Sequence, residues 1–177
     1  LISNDARRLE AFVDAHGRCV LKPLEECSGR GIQVVEPSQA SQVVRPYLAA
    51  RHGGYIIAQQ FIAGVSGGDK RIFLLAGEPI GAVNRVPRGP VQLANIHQGA
   101  QIEATVLTAR DREIIRAVKP LLMQRRLWLA GLDVIDGYLT EVNVTSPSAA
   151  RQINEVSGTH IEVAIVDFLE RIASRSA

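Results

Sequence analysis

Three hard oxygen donors, Asp133, Glu141 and Asn143, stand close together in a stretch otherwise built of apolar, β-branched and turn residues, Gly131-Leu132-Asp133-Val134-Ile135-Asp136-Gly137-Tyr138-Leu139-Thr140-Glu141-Val142-Asn143-Val144-Thr145-Ser146-Pro147. Carboxylate and amide oxygens without imidazole or thiolate suit magnesium better than zinc. To act together they must share one face of a sheet. Asp136-Gly137 readily takes the positive φ of a hairpin turn, so the runs on either side are predicted to be two antiparallel strands. Register then decides the chemistry. A strict two-residue loop sets Ile135 opposite Tyr138 and Asp133 opposite Thr140, which sends Asp133 and Glu141 to opposite faces. A three-residue loop with a bulge sets Asp133 opposite Glu141 and keeps Asn143 on the same face. The odd loop is the expectation adopted; the alternative is a sheet edge whose acids are merely solvated.

Cationic groups recur at positions that could face such a site. Asp69-Lys70-Arg71-Ile72-Phe73-Leu74-Leu75-Ala76 and Ile80-Gly81-Ala82-Val83-Asn84-Arg85-Val86 read as an antiparallel pair around Gly77-Glu78-Pro79. A loop between residues 76 and 79 brings Arg71 and Arg85 near the open end of that pair. Converging guanidiniums want phosphate or carboxylate, unless they are two unconnected surface arginines. Lys22 interrupts the apolar run Cys19-Val20-Leu21-Lys22-Pro23-Leu24, where it either snorkels at an edge or holds an anion. Glu25-Glu26-Cys27-Ser28-Gly29-Arg30-Gly31 follows, and then Ile32-Gln33-Val34-Val35. Strand, glycine loop and strand exclude a P-loop and a dinucleotide fingerprint, both of which need a helix after the glycines. Such a tip can lay backbone N–H groups over phosphates, although most are only turns.

The elements that must position these groups follow from periodicity. Residues 5 to 16 form an amphipathic helix behind the caps Ser3-Asn4-Asp5, ending before Gly17. A second helix spans 38 to 52 with Pro46 inside it, and Tyr55 to Ile62 is a strand. Ala63-Gly64-Val65-Ser66-Gly67-Gly68 is a flexible link and the best lobe boundary, giving lobes 1–64 and 65–177. Residues 87 to 102 form a long loop of the kind that often serves as a lid or substrate loop. Thr108 caps a helix to about Arg126, and Thr159 opens a terminal helix with Ile161, Ala164, Ile165, Phe168, Leu169 and Ile172 toward the core.

Composition bounds the rest. The 177 residues suffice for one full core or two small lobes, and 46% hydrophobic with 21% charged residues is an ordinary globular balance. A formal charge of +2, from 20 basic and 18 acidic residues without like-charge blocks, gives no ground for a nucleic-acid or membrane-surface partner. Apolar runs are too short to span a bilayer, and no segment of this sequence has the charged, apolar and small-residue order of a signal peptide. Two cysteines, Cys19 in a strand and Cys27 in a loop, fit a reducing compartment, so a cytoplasmic location is expected. The histidines His16, His52, His97 and His160 are scattered. The chain opens at Leu1 directly before helix-entry sequence, and an upstream part is therefore expected.

Lys22-Pro23, the Ser28-Gly29-Arg30-Gly31 loop, Gln59-Gln60-Phe61-Ile62, Gly68-Asp69-Lys70-Arg71, Arg85-Val86-Pro87, Gly131-Leu132-Asp133 and the run Thr140 to Pro147 together resemble the ATP-grasp domain of bacterial glutathione synthetases. The resemblance covers nearly the whole chain. It implies an α+β ATP-grasp fold, two α+β lobes with antiparallel sheets clamping ATP. Lys22 would touch the adenine edge and the phosphates; Ser28, Gly29 and Gly31 would close over the phosphates. Gln60, Phe61 and Ile62 would offer backbone groups to adenine, and Asp69 would lie near the ribose. Arg71 and Arg85 would hold phosphates as catalytic groups, with Asn95 near the γ-phosphate. Asp133, Glu141 and Asn143 would ligate Mg2+ or Mn2+, with two ions expected.

The implied reaction is attack of a carboxylate on the γ-phosphate, giving an acyl phosphate from which an amine displaces phosphate. Catalysis of that kind rests on positioning and charge neutralisation, and the sequence carries no nucleophile and base signature. γ-Glutamylcysteine would supply the acid and glycine the amine, with an upstream substrate domain as partner and a homo-oligomer left open. The departures lie in the loop from residue 87 to 102, where Leu93 stands in place of the family's usual arginine and Ala100 replaces one of two glycines, and in the phosphate loop, where Ser28-Gly29 replaces a double glycine, with Arg30 added. His97 matches an Asn-x-His pattern of ATP-grasp ligases that add amino acids to other carboxylates. A ligase of different specificity and a non-catalytic ATP-binding module remain the alternatives.

Overall fold

The computed structural model describes residues 1–26, 29–88 and 100–175. Cys27, Ser28, Leu93, Asn95 and His97 lie outside the described residues. The chain divides into two compact units, Leu1–Ala63 and Gly64–Ala177.

In the first unit Asp5 caps α1 (Ala6–His16) by accepting from the N–H groups of Arg7 and Arg8, and Gly17 at φ 75° ends the helix. Strands β1 (Ile2–Ser3), β2 (Cys19–Pro23), β3 (Gln33–Val35) and β4 (Ile56–Gln60) form an antiparallel sheet of order β1-β4-β2-β3. The period of two divides its residues. Cys19, Leu21, Val35, Ile56 and Ala58 pack into a core with Leu9 and Val13 of α1 and with Val44 and Leu48 of α2 (Ala40–Ala49). Lys22, paired with Ile57, and Val20, paired with Gln59, belong to the opposite face. The predicted helix 38–52 is shorter than expected, with a 3-10 turn at Pro37–Gln39 before α2 and turns after it. Pro37 suits a first helical turn, where its missing N–H costs nothing, and α2 runs on through Pro46.

The second unit is built on an antiparallel sheet of order β7-β6-β5-β8-β9, from β5 (Asp69–Leu75), β6 (Glu78–Val86), β7 (Gln101–Ala104), β8 (Leu129–Ile135) and β9 (Tyr138–Val144). Ile72, Leu74, Leu132 and Val134 pack beneath α3 (Ala109–Gln124) through Ile114, Ile115 and Leu122. The other face carries Phe73 and Val83, covered by Ile153 of α4 (Ala150–Ser157) and Ile161 of α5 (Ile161–Arg175). Both faces of the central strands are therefore apolar along most of their length.

Four expectations change. The hairpin turn is a two-residue loop, with Ile135 opposite Tyr138 and positive φ at Asp136 (50°) and Gly137 (74°), the type I′ geometry that Asp-Gly favours. Asp133 nevertheless faces Glu141, because a bulge between Asp133 and Val134 leaves Thr140 as the additional residue. The Thr140 hydroxyl donates to the Asp133 carbonyl at 3.1 Å, satisfying a ladder acceptor at the bulge. Ala63–Gly67, read as a flexible link, is a 3-10 helix, and Gln101–Ala104 pairs with β6 where the loop was drawn to residue 102. Helix α4 was not foreseen: its N-cap is Ala149 at φ 97°, with no side-chain cap bond. In α5 Leu169 is 50% exposed, since it lies about 80° around the helix from buried Ile161.

Helix α3 is anchored through its first turn. Thr108 and Asp111 form a capping box, the Asp111 N–H donating to Thr108 Oγ1 at 3.1 Å and the Thr108 N–H to Asp111 Oδ2 at 2.8 Å. Lys70 Nζ adds a 2.5 Å ion pair to the same oxygen. Burial alone would lift the Asp111 carboxyl, but the bonds from Lys70 and Thr108 outweigh it and hold it below the usual carboxylate range. A lowered value in the folded state means that this stabilisation is complete above the unfolded carboxylate range and is lost as pH falls through the folded value. Asp111→Ala should therefore destabilise the protein by about 3 kcal/mol at pH 7, the sum of a lost cap and an unpaired Lys70. In urea unfolding, the gap between the variant and the wild type should narrow as pH is lowered through the carboxylate range.

Candidate functional site

The open end of the β5–β6 pair and the β8–β9 hairpin meet on one face of the second sheet. Asp69 pairs with Arg85 and Arg71 with Val83 across β5 and β6, while Arg71 also faces Asp133 across β5 and β8. Residues 69, 71, 85, 133, 141 and 143 thus share a face by register alone. Arg71 clasps Asp133 with both prongs, Nε to Oδ1 at 2.5 Å and Nη2 to Oδ2 at 3.0 Å, and its Nη1 donates to the Ser148 carbonyl at 3.1 Å. Arg85 Nη2 bridges Asp69 Oδ2 at 2.6 Å and Asp133 Oδ1 at 2.9 Å. Asn143 Nδ2 completes the shell on Asp133 Oδ2 at 3.2 Å.

Local sequence permits this close packing. A Cβ on Gly131 would stand 3.1 Å from Arg71 Nη1 and 3.2 Å from its Cδ, so glycine leaves the lane along which Arg71 crosses β8. Arg71 and Arg85 are each only 5% exposed. Burial disfavours the charge on Arg85, but Asp69 and Asp133 beside it outweigh that and raise its pKa further. Burial pushes the Asp69 carboxyl up to about 7, with Arg85 opposing and Asp133 adding to the rise.

Two features bear on ligands. Asp69 Oδ1 is buried without a hydrogen-bond partner, the kind of acceptor that a bound donor or cation would satisfy. Glu141 is exposed and, among the described residues, makes no hydrogen bond or ion pair. Its carboxylate, that of Asp133 and the Asn143 amide oxygen form a hard-oxygen set suited to magnesium. The set holds two acids and an amide; no group of three acid, histidine or cysteine side chains that could hold a metal exists among the described residues. Asp133 already accepts from Arg71, Arg85 and Asn143. Its acceptor sites are then filled, so it can ligate a metal only when one of these donors lets go. The donor set fits the ion on that condition.

The remaining expected residues, Asn95 apart, belong to the first unit. Lys22 is half-buried on the sheet face away from the helices and, among the described residues, has no bonded partner. Gly29 and Gly31 have φ of 73° and 69° at the glycine loop. The Phe61 N–H donates to the Arg18 carbonyl at 2.9 Å, and the Arg18 guanidinium lies 4.1 Å over the Phe61 ring, so that N–H is not available to a base. Ser28 and Asn95 lie outside the described residues. Sequence reasoning missed the Ser148 carbonyl under Arg71, a backbone group without a residue-type signal. Nor did it pair Asp69 with Arg85, a register that depends on a bulge between Phe73 and Leu74, without which Asp69 would face Asn84.

A four-stranded and a five-stranded antiparallel sheet with their helices make the ATP-grasp fold, as in its structural neighbours. The D-cycloserine synthetase DcsG superposes with a TM-score of 0.69 at 17% identity, over 86% of this chain and 58% of that one. The ATP-grasp ligase PsnB, complexed with a precursor peptide and AMPPNP, superposes at 0.60 and 20% identity, over 88% of this chain and 46% of its own. The sequence model of the prokaryotic glutathione synthetase ATP-grasp domain matches residues 1–158, and the chain belongs to that family. Glutathione synthetases from Synechocystis sp. (39% identical over 97% of this chain) and Synechococcus elongatus (40% over 99%) are among its relatives. The chain spans about half the length of these curated relatives, 54% of each.

The two acids of the hairpin differ in structural cost. Asp133→Asn leaves two buried guanidiniums short of charge and should destabilise the ligand-free protein by about 3 kcal/mol or more. Glu141→Gln, exposed and unpartnered, should stay within about 0.5 kcal/mol of wild type. Urea unfolding without metal or nucleotide measures both; equal losses would contradict the pairing described here.

Proposed function

We propose that the protein carrying this chain is an ATP-dependent carboxylate–amine ligase of the cytoplasm, a glutathione synthetase joining γ-glutamylcysteine to glycine. The observation that carries this reading is the register of the bulged hairpin. It sets Asp133 against Glu141, with Asn143 on the same face, beside Arg71 and Arg85.

Asp133, Glu141 and Asn143 are the groups that would hold Mg2+ or Mn2+. The metal, when bound, supplies charge neutralisation on the phosphate chain. Arg71 and Arg85 supply fixed positive charge on the same face, and phosphate oxygens match their planar forks as well as carboxylates do. When they turn to phosphate, Asp133 is freed to act as a ligand. In the first unit Lys22, Gly29, Gly31 and the backbone at Gln60 and Ile62 are the groups that would meet the nucleotide, the Phe61 N–H being bonded to the Arg18 carbonyl. The buried Asp69 Oδ1 is an acceptor for a donor on the nucleotide, such as a ribose hydroxyl. No side chain need form a bond with the substrate. An acid placed against the neutralised phosphates would attack the γ-phosphate, releasing ADP and forming an acyl phosphate, from which the amine would displace phosphate.

Leu93 and His97 favour a second reading, a ligase of the same chemistry with a different acid or amine. ADP release by the full-length protein, with γ-glutamylcysteine and glycine compared with other acid and amine pairs, separates the two. Turnover of another pair alone selects the second.

Magnesium and ATP together should raise the melting temperature of this chain, by the equivalent of about 2.7 kcal/mol at a ligand concentration one hundred times Kd, with ATP alone doing much less. Glu141→Gln should reduce the magnesium-dependent part without lowering the melting temperature of the free protein. Equal stabilisation with and without metal would remove the hairpin from the site.

A further inference from the structure

The glycine loop of the first unit is held from behind. Gly29 to Ile32 closes as a turn, the Ile32 N–H directed at the Gly29 carbonyl at 3.5 Å, with Gly31 at φ 69° in its third position. The Gly31 carbonyl accepts from the Tyr47 hydroxyl at 2.6 Å and, at 3.4 Å, from Arg51 Nη2. Arg51 is itself fixed, stacked 3.6 Å over the Tyr47 ring with Nη1 donating to the Tyr47 carbonyl at 2.9 Å. Tyr47 is 5% exposed, so its ring is set by the core and its hydroxyl has little freedom.

Any larger residue at the tip would have to push the end of the Arg51 side chain and the Pro23 ring aside. A Cβ on Gly31 would stand 2.7 Å from Arg51 Nη2 and 3.1 Å from Pro23 Cγ, at a φ that side-chain-bearing residues resist. Because the peptide is planar and trans, holding the Gly31 carbonyl also fixes the Ile32 N–H of the same plane. Tyr47 in the last turn of α2 and Arg51 just after it therefore hold the Gly31–Ile32 peptide plane.

We propose that Tyr47 and Arg51 are positioning residues for phosphate binding: they latch the Gly29–Ile32 turn in the conformation that receives the β- and γ-phosphates of the nucleotide. The latch rests on the nucleotide reading above for its ligand, but not for its geometry. Preorganising backbone donors lowers the ordering cost of binding without adding a contact, and only ligands that reach the turn benefit.

Two measurements on the chain test it. In the free protein, Tyr47→Phe should raise the amide hydrogen-exchange rate at Ile32 several-fold while the amides of the β2–β4 ladder keep theirs. In titrations with AMPPNP and magnesium, Tyr47→Phe should weaken binding roughly five- to tenfold, about the loss of one hydrogen bond, while adenosine affinity stays unchanged. Arg51→Lys, which keeps the charge and loses the stacked fork, should shift both readouts in the same direction and serves if Tyr47→Phe folds poorly. Unchanged exchange at Ile32 would overturn the latch, and equal losses for AMPPNP and adenosine would reduce it to a general structural role. Faster exchange in a chain whose wild type binds neither ligand would overturn the nucleotide reading, and the phosphate role of the latch with it.

Discussion

The buried pairing of Arg71 and Arg85 with Asp133 and Asp69 constrains the rest of the second unit. Guanidinium groups do not give up their protons at any ordinary pH, so two arginines at 5% exposure require two carboxylates beside them. Removing one partner from such a pair costs about 3–5 kcal/mol, against a total of about 5–15 kcal/mol for a typical domain. The antiparallel register that opposes 69 to 85 and 71 to 133 follows from that requirement. So does the glycine at 131, where any side chain would press on Arg71. The site and the stability of the unit rest on the same contacts.

Much of this arrangement was legible because strand period and turn position are local facts. A turn after residue 76 puts Arg71 and Arg85 at one end of a hairpin whatever surrounds it, and the structure has them there. The Asp133 and Glu141 pairing was legible only in outcome. An odd number of inserted residues was needed, but alternation says nothing of where the odd residue sits. Asp-Gly strongly favours the two-residue turn, so the insertion moved inward to Thr140, whose hydroxyl meets the carbonyl of Asp133. Helix α4 left no signal because its N-cap is an alanine in the left-handed region. Whether the arginines held phosphate or carboxylate was undecidable from residue type, since the guanidinium fork fits both.

The segment after β9 shows how far the arginine cluster reaches. Thr145 and Ala149 both take positive φ, 73° and 97°, a conformation costly for residues bearing a Cβ. Between them the Ser148 carbonyl is drawn onto Arg71 Nη1, and Pro147 packs over Gly131. The backbone strain thus lies where the chain must leave the sheet edge, meet Arg71 and start α4. A change of partner at Arg71 would be felt at that helix as well as at Asp133.

Charge balance also explains why metal and nucleotide should depend on each other in the proposed function. In the free protein two guanidiniums and two carboxylates neutralise one another. A polyphosphate alone would draw the guanidiniums away and leave buried carboxylates facing each other. A cation alone would draw Asp133 away and leave buried guanidiniums without a counter-charge. With both present, Asp133 would turn to the cation and the guanidiniums to the phosphates, each exchanging its partner for another of the same sign, while Asp69 would meet a donor on the nucleotide. Coupling of that kind needs no moving lid or distant effector. It follows if the side chains that hold the fold together are also those that receive the ligand.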